Sequence, residues 1–406
     1  MKPYGTGGQI GICGKVPETD IVVWIFVIMI FSFVWMILTP QLMALQARVG
    51  IGQLRKSVKQ LEGWAKESRQ VALKAILKHG KPKRDVEKEF DNFLEFFAIE
   101  PVSEDPVGVL RRLEHVLDVR KRRFQGVVSR FAPKADPESA ANLEMVLEGA
   151  MANRVLYRLM RHFMLLAEKT KNMQLVMLVQ MNIPFLREYA RSFVEATKAF
   201  AEGKPIGDGV GPLAAAKFIG EAKCKEPVED TVYAETRFDG RKLLVVKARG
   251  PGGRVGKPGE LIKRLIQKYR VSRIIMIDAA GKLEGEASGE VVEGVGAAIG
   301  GPPTEKYKIE EIATKRRVPV DAIVVKESFA EAIKPMNKRL ARGAEIAAER
   351  VKKAIRERTK PGDTVIIAGI GNTIGIGQMP DEIPTEFPSP PARGKDELES
   401  VALPMR

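Results

Sequence analysis

The chain has 406 residues, 45% of them hydrophobic, and carries 66 Lys and Arg against 51 Asp and Glu, a formal net charge of +15. That length argues for two or three segments, and the basic excess points to an anionic partner. Two distant cysteines (Cys13, Cys224) and three scattered histidines (His79, His115, His162) argue against a disulfide framework, a zinc site or a His-rich metal centre.

In chain order, the first feature is "IVVWIFVIMIFSFVWMIL" at 21–38, 18 residues without a charge. At 1.5 Å per residue it covers most of a bilayer core of about 30 Å, and Trp24 and Trp35 stand near its ends. No small-residue cleavage site follows, so the reading is an uncleaved transmembrane helix over 21–39. Arg48, Arg55, Lys56 and Lys59 come after it, which places residues 1–20 outside and the bulk of the chain in the cytoplasm of a single-pass membrane protein. The positive charge is then assigned to lipid head groups, through the anchor and a basic helical surface. Aromatic residues are few and no nucleic-acid motif occurs, so nucleic acid is not an expected partner.

Residues 41–202 read as a helical domain. Apolar positions recur at three- and four-residue spacing in "LRKSVKQLEGWAKESRQVALKAILKHG", and Arg111, Arg112, Arg120, Lys121, Arg122 and Arg123 give a later helix a dense basic face. Methionines at 145, 151, 160 and 164 are expected to fill core gaps. A homo-oligomer is expected from this helix-rich, Met-rich half.

From 203 to 378 strands and helices alternate. "TVYAETRFDGRKLLVVKAR" is a hairpin turning at Asp239-Gly240, and "SRIIMIDAA" is a buried strand that reaches Asp278. "PVDAIVVKES" is a further strand, a long helix bent near Pro335 follows, and "TVIIAGIGN" comes last. This pattern predicts a three-layer α/β domain with a mostly parallel sheet, whose ligands gather at the carboxyl ends of the strands. Residues 379–406 read as a disordered, Pro-rich tail. The fold class is therefore α plus α/β behind a single N-terminal transmembrane helix.

Two loops carry candidate chemistry. In "GKPIGDGVGPLAAAKFIG", Asp208 sits between Gly207 and Gly209, and Gly211-Pro212 open a helix whose N-terminus favours negative charge. "ARGPGGRVGKPGE" has phosphate-loop texture, but Pro251 and Pro258 break the P-loop pattern, so its default is a mobile surface loop. "GIGNTIGIG" lacks the dinucleotide spacing because residue 374 is isoleucine.

"GDGVGPLAA", "IIMIDAAGKLE", "EGVGAAIGG" and "PVDAIVV" together resemble the spore germination proteases and the hydrogenase maturation endopeptidases of the same fold. The whole chain also resembles an archaeal membrane-anchored family known only as a domain of unknown function. The first resemblance covers 203–377 and implies a phosphorylase/peptidase-like fold. It implies Asp208 (in "DGVGP") and Asp278 (in "IDAA") as a catalytic pair. Gly209 and Gly211, with Gly294, Gly296, Gly300 and Gly301, would form the loops around it. Members of that fold begin with a strand ending in G-I-G-N, whereas here "VIIAGIGN" closes the domain. The resemblance thus implies a circular permutation, with strand 364–369 at the sheet centre and Gly371 and Asn372 beside Asp208.

Two carboxylates a few Å apart cannot both ionise easily, so a pair of this kind can activate water with one member and donate a proton with the other. No cofactor is expected. A metal held by Asp208 and Asp278 is the variant known from the endopeptidases, but 203–377 contains no histidine, and Glu284 and Glu286 read as solvated charges. Two classes of function follow. One is a membrane-anchored peptidase, aspartic-type or metal-assisted, acting on a cytoplasmic protein or peptide. The other is a non-catalytic membrane-associated scaffold or interaction protein.

Overall fold

A computed structural model describes residues 18–82, 85–96, 108–301 and 303–390. Most of the expected extracytoplasmic N-terminus, the loop after residue 96 and tail residues 391–406 lie outside the described residues.

The first helix, α1 (Glu18–Gly80), is 63 residues long. The expected transmembrane helix was its opening stretch, and that expectation is overturned. Among the described residues no helix is long and apolar enough to cross a membrane. The helix does not stop at Thr39, whose Oγ1 donates to the Trp35 carbonyl at 2.6 Å, but continues beyond it. The single-pass anchor, and the topology and membrane localisation drawn from it, are therefore not supported.

Four more helices complete the first half: α2 (Glu87–Phe93), α3 (Val109–Phe131), α4 (Pro137–Thr170) and α5 (Met173–Glu202). By contacts the chain divides into two units, 1–56 with 162–181, and 57–161 with 182–406. In the first unit Val176 is fully buried, and a Cβ at Gly50 would come within 2.5 Å of it. Arg55 pairs with Glu168 at 2.7 Å there, and Gln180 donates to Gln53.

In the second unit, helical residues close an aromatic core around Phe90, Phe93, Phe124 and Phe131. Several basic residues of α3 are paired within the chain. Lys121 Nζ donates to Asp230 and Glu229 at 2.6 and 2.9 Å, and Arg120 pairs with Glu148.

The same unit holds the sheet, with helices α6 (Val210–Ile219), α7 (Pro258–Lys268), α8 (Pro303–Arg316), α9 (Phe329–Ile333) and α10 (Lys338–Arg358). Its strands are β1 (Lys225–Val228), β2 (Thr231–Phe238), β3 (Arg241–Ala248), β4 (Val271–Gly281), β5 (Val291–Val295), β6 (Val320–Glu327) and β7 (Thr364–Gly369), in spatial order β1-β2-β3-β7-β4-β6-β5. The expected mostly parallel sheet is in fact mixed. β3, β7, β4 and β6 run parallel, while β1, β2 and β5 attach antiparallel. The reversal at β2–β3 is set by Asp239 and Gly240, whose φ values of 46 and 76° suit the tight hairpin turn.

Alternation within the strands sends side chains to two cores. Val245, Ile277 and Ile367 pack on α6 and α10, and Val246, Met276 and Ile366 pack on α7 and α8. β7, last in the chain, is central because Val365–Ala368 are buried on both faces between β3 and β4. The helix expected to bend near Pro335 is two helices, with Ile206 bridging Pro335 between them. Residues 379–390 are held against the unit: Lys338 N donates to Pro388 O at 2.9 Å, and Ile383 and Phe387 pack on the core.

Candidate functional site

The four parallel strands share one carboxyl end, at Ala248, Gly369, Gly281 and Glu327. Asp278 lies near that end of β4, in register with Val324 of β6. Asp208 reaches it from the 3-10 turn Gly207–Gly209, which leads directly into α6. The turn approaches so closely because of glycine. A Cβ at Gly211 would collide with the carbonyls of Ile370 and Ile277, and one at Gly371 (φ 127°) would collide with the Asp208 carbonyl. The turn after β7 is fastened from the other side, since Ile370 N donates to Ile277 O at 2.8 Å.

Asn372 N donates to Asp208 Oδ2 at 2.7 Å, joining residues 164 apart in sequence. The Asn372 side chain accepts from Ile374 N at 2.9 Å and donates to the Met145 sulfur at 3.6 Å. Asp278 accepts two backbone N–H groups, Ala279 on Oδ1 and Gly300 on Oδ2, both at 2.8 Å. Asp278 is 3% exposed, whereas Asp208 lies deep among protein atoms yet keeps part of its surface open. Burial raises the Asp208 carboxyl against the pull of Asn372 N–H. Burial, then the neighbouring Asp208 charge, pushes Asp278 up to about 7. No basic side chain offsets either effect.

The structure thus brings Asp208, Gly209, Gly211, Asp278, Gly371 and Asn372 together. Gly294 and Gly296 are elsewhere: Gly294 is in register with Ala322 and Gly296 N donates to Val320 O, at the amino end of β6. Gly300 is the member of that glycine run at the site. Glu286 pairs with Lys326 at 2.5 Å, outside the pair. Among the described residues no group of three or more His, Cys, Asp or Glu is arranged to hold a metal ion.

Sequence reasoning missed Glu327. It ends β6 at 2% exposure, and neither carboxylate oxygen has a hydrogen-bond partner. Burial, then the charges of Asp208, Glu331 and Asp278, raises it well above the ordinary carboxylate range. The available signal was its position, an acidic residue at the carboxyl end of the strand beside β4.

The loop 249–257 is no mobile surface loop. Thr373 Oγ1 lies within 3.1 Å of the Arg249, Gly252 and Arg254 carbonyls, and Gly253 N donates to Asn142 Oδ1 at 2.8 Å. Lys247, at the end of β3, is fully buried and donates to Ala248 O and Gln378 Oε1 at 3.0 and 3.2 Å. Burial lowers it to about 8. A lysine lowered in the folded state binds fewer protons there than when unfolded, so stability rises with pH from about 8 to 10.5. Lys247→Met should therefore raise stability near pH 7 by about 1–2 kcal/mol, with the gain gone above about pH 10 in urea unfolding.

A model for the N-terminal domain of a protein of unknown function (DUF1512) matches residues 21–203, and one for the DUF1512 C-terminal domain, also of unknown function, matches 206–377. The chain belongs to the DUF1512 family. Asp208, Asp278, Glu327 and Asn372 all fall within the DUF1512 C-terminal match. Neither DUF1512 model brings an archaeal source, a membrane anchor or a peptidase fold with it. Searches of curated proteins and of solved structures found no match.

Proposed function

We propose that the DUF1512 C-terminal segment hydrolyses peptide bonds with water activated by the Asp208–Asp278 pair. The observation that carries this reading is the pair itself: two carboxyls at the carboxyl end of the four parallel strands, each raised, one raised partly by the other, with no cation among the causes to neutralise them. Raised, mutually coupled carboxyls in a buried setting are what acid–base chemistry near neutrality needs. The ionised member takes a proton from water as the oxygen attacks the peptide carbonyl, and the protonated member donates to the departing nitrogen. The C–N bond breaks, a C–O bond forms and one water is consumed. The central place of β7, which carries Gly369–Asn372 to Asp208, supports kinship with the germination-protease fold by circular permutation.

The test is cleavage of a peptide library by the full chain and by Asp208→Asn and Asp278→Asn. Cleavage should fall at least 100-fold in either variant, within the range that a general acid or base contributes. Equal cleavage in wild type and both variants would overturn the reading.

A second reading, self-association without catalysis, is favoured by exposed apolar residues in the first unit. Leu45, Val49, Met177 and Met181 are 58, 59, 52 and 73% exposed. Sedimentation would then show a dimer or larger species that Leu45→Asp with Val49→Asp converts to monomer. A wild-type monomer would remove this reading.

A further inference from the structure

Glu327 stands at the end of β6 with its side chain sealed from solvent and both oxygens unpaired. A buried carboxylate without a partner is costly, and such a group keeps its proton instead. Its surroundings are acidic on each side that it meets. The Asp208 turn lies directly against it, since a Cβ on Gly207 would stand 2.5 Å from Glu327 Oε2. The charges of Glu331 on α9 and, more weakly, of Asp278 on β4 add to that of Asp208.

Glu331 is already engaged, for its Oε2 accepts from Ser288 Oγ at 2.6 Å and Ser328 N at 3.0 Å. The nearby lysines do not answer Glu327 either. Lys326 pairs with Glu286 and Glu290, Lys334 pairs with Glu195, and Lys282 meets Glu327 only through its backbone N–H.

The three carboxyls also differ in what supports their ionised forms. Asp278 accepts two backbone N–H groups, Asp208 accepts one and Glu327 none. Hydrogen bonds to a carboxylate favour its ionised form. Glu327 alone has no donor to support an ionised form, so it ionises last of the three.

We propose that Glu327 is a third acid of this site, a positioning residue kept neutral to store the proton that the Asp208–Asp278 pair uses. The proposal rests on the hydrolytic reading above. In a turnover, the ionised member of the pair takes the proton from water, the protonated member gives its own to the leaving nitrogen, and Glu327 replenishes that member. The proton gained from water then returns to Glu327, so the three carboxyls end as they began.

The test is infrared spectroscopy of the full chain at about pH 9, where ordinary carboxyls are ionised. Glu144, which burial pushes up to about 7, is ionised there too. A protonated-acid carbonyl band should persist, shift when all glutamates carry a 13C side-chain carboxyl, and vanish in Glu327→Gln. A missing band, or one unmoved by the glutamate label, overturns the proposal. If that variant does not fold, Glu327→Leu, which removes the carboxyl from the same buried position, is read in its place. A labelled band that survives in Glu327→Gln likewise overturns it, because another glutamate then holds the proton. Failure of peptide cleavage would sink the hydrolytic reading but leave the band, so the two failures are distinguishable.

Discussion

Asp278→Asn should be less stable than wild type near pH 5 and as stable or more stable near pH 8. Folding raises this carboxyl from 3.8 to about 7, so between those values the folded chain holds a proton that the unfolded chain releases. Stability from this group is fully present below about pH 4 and is lost as pH rises through about 7, at roughly 1.4 kcal/mol per pH unit and up to about 4 kcal/mol in all. Asparagine does not titrate, and its stability curve should be flatter by that amount. Its amide oxygen can satisfy only one of the two N–H groups from Ala279 and Gly300 that the carboxylate accepts. The unpaired N–H costs about 1–3 kcal/mol at every pH. The two curves must then cross between pH 5 and 8 in urea unfolding. Parallel curves would show that Asp278 titrates alike in the folded and unfolded chains.

Gly371→Ala is the second large effect, with an expected loss of about 3–5 kcal/mol. Its φ of 127° lies where side chains are rarely tolerated, and a Cβ there runs into the Asp208 carbonyl. Relief requires the turn after β7 to move away from the Asp208 loop, breaking the bond from Asn372 N. Peptide cleavage should therefore fall at least tenfold even where the protein remains folded. Gly294→Ala is the matched control. It has no positive φ, nothing lies within 4 Å of the added Cβ, and it is away from the site. Its stability should stay within about 0.5 kcal/mol of wild type, with cleavage unchanged.

These contrasts show which features could be read from sequence. The β2–β3 hairpin was legible because Asp239-Gly240 dictates a turn locally. β7 was legible because "VIIAG" has no polar face, so it must be buried on both sides. β1 was not, since "KEPV" is largely exposed at the sheet edge and lacks an apolar pattern. The length of α1 was misjudged for a related reason: an uncharged run reports hydrophobicity but not where its helix ends. Asp208 and Asp278 stood out through their glycine and strand contexts. Glu327 did not, because "VVKES" looks like the solvated end of a strand. Its burial is created by α9 folding back and by the Asp208 turn, which comes more than a hundred residues earlier. Long-range packing of that sort leaves no local trace in the chain.

Asp208 and Asp278 are proposed to act as one coupled acid pair. The most direct test of that coupling is an NMR titration of the Asp278 side-chain carboxyl in wild type and in Asp208→Asn. The wild-type midpoint should lie near 7 and move down when the Asp208 charge is removed. A midpoint near 4 in wild type, unchanged by Asp208→Asn, would contradict it.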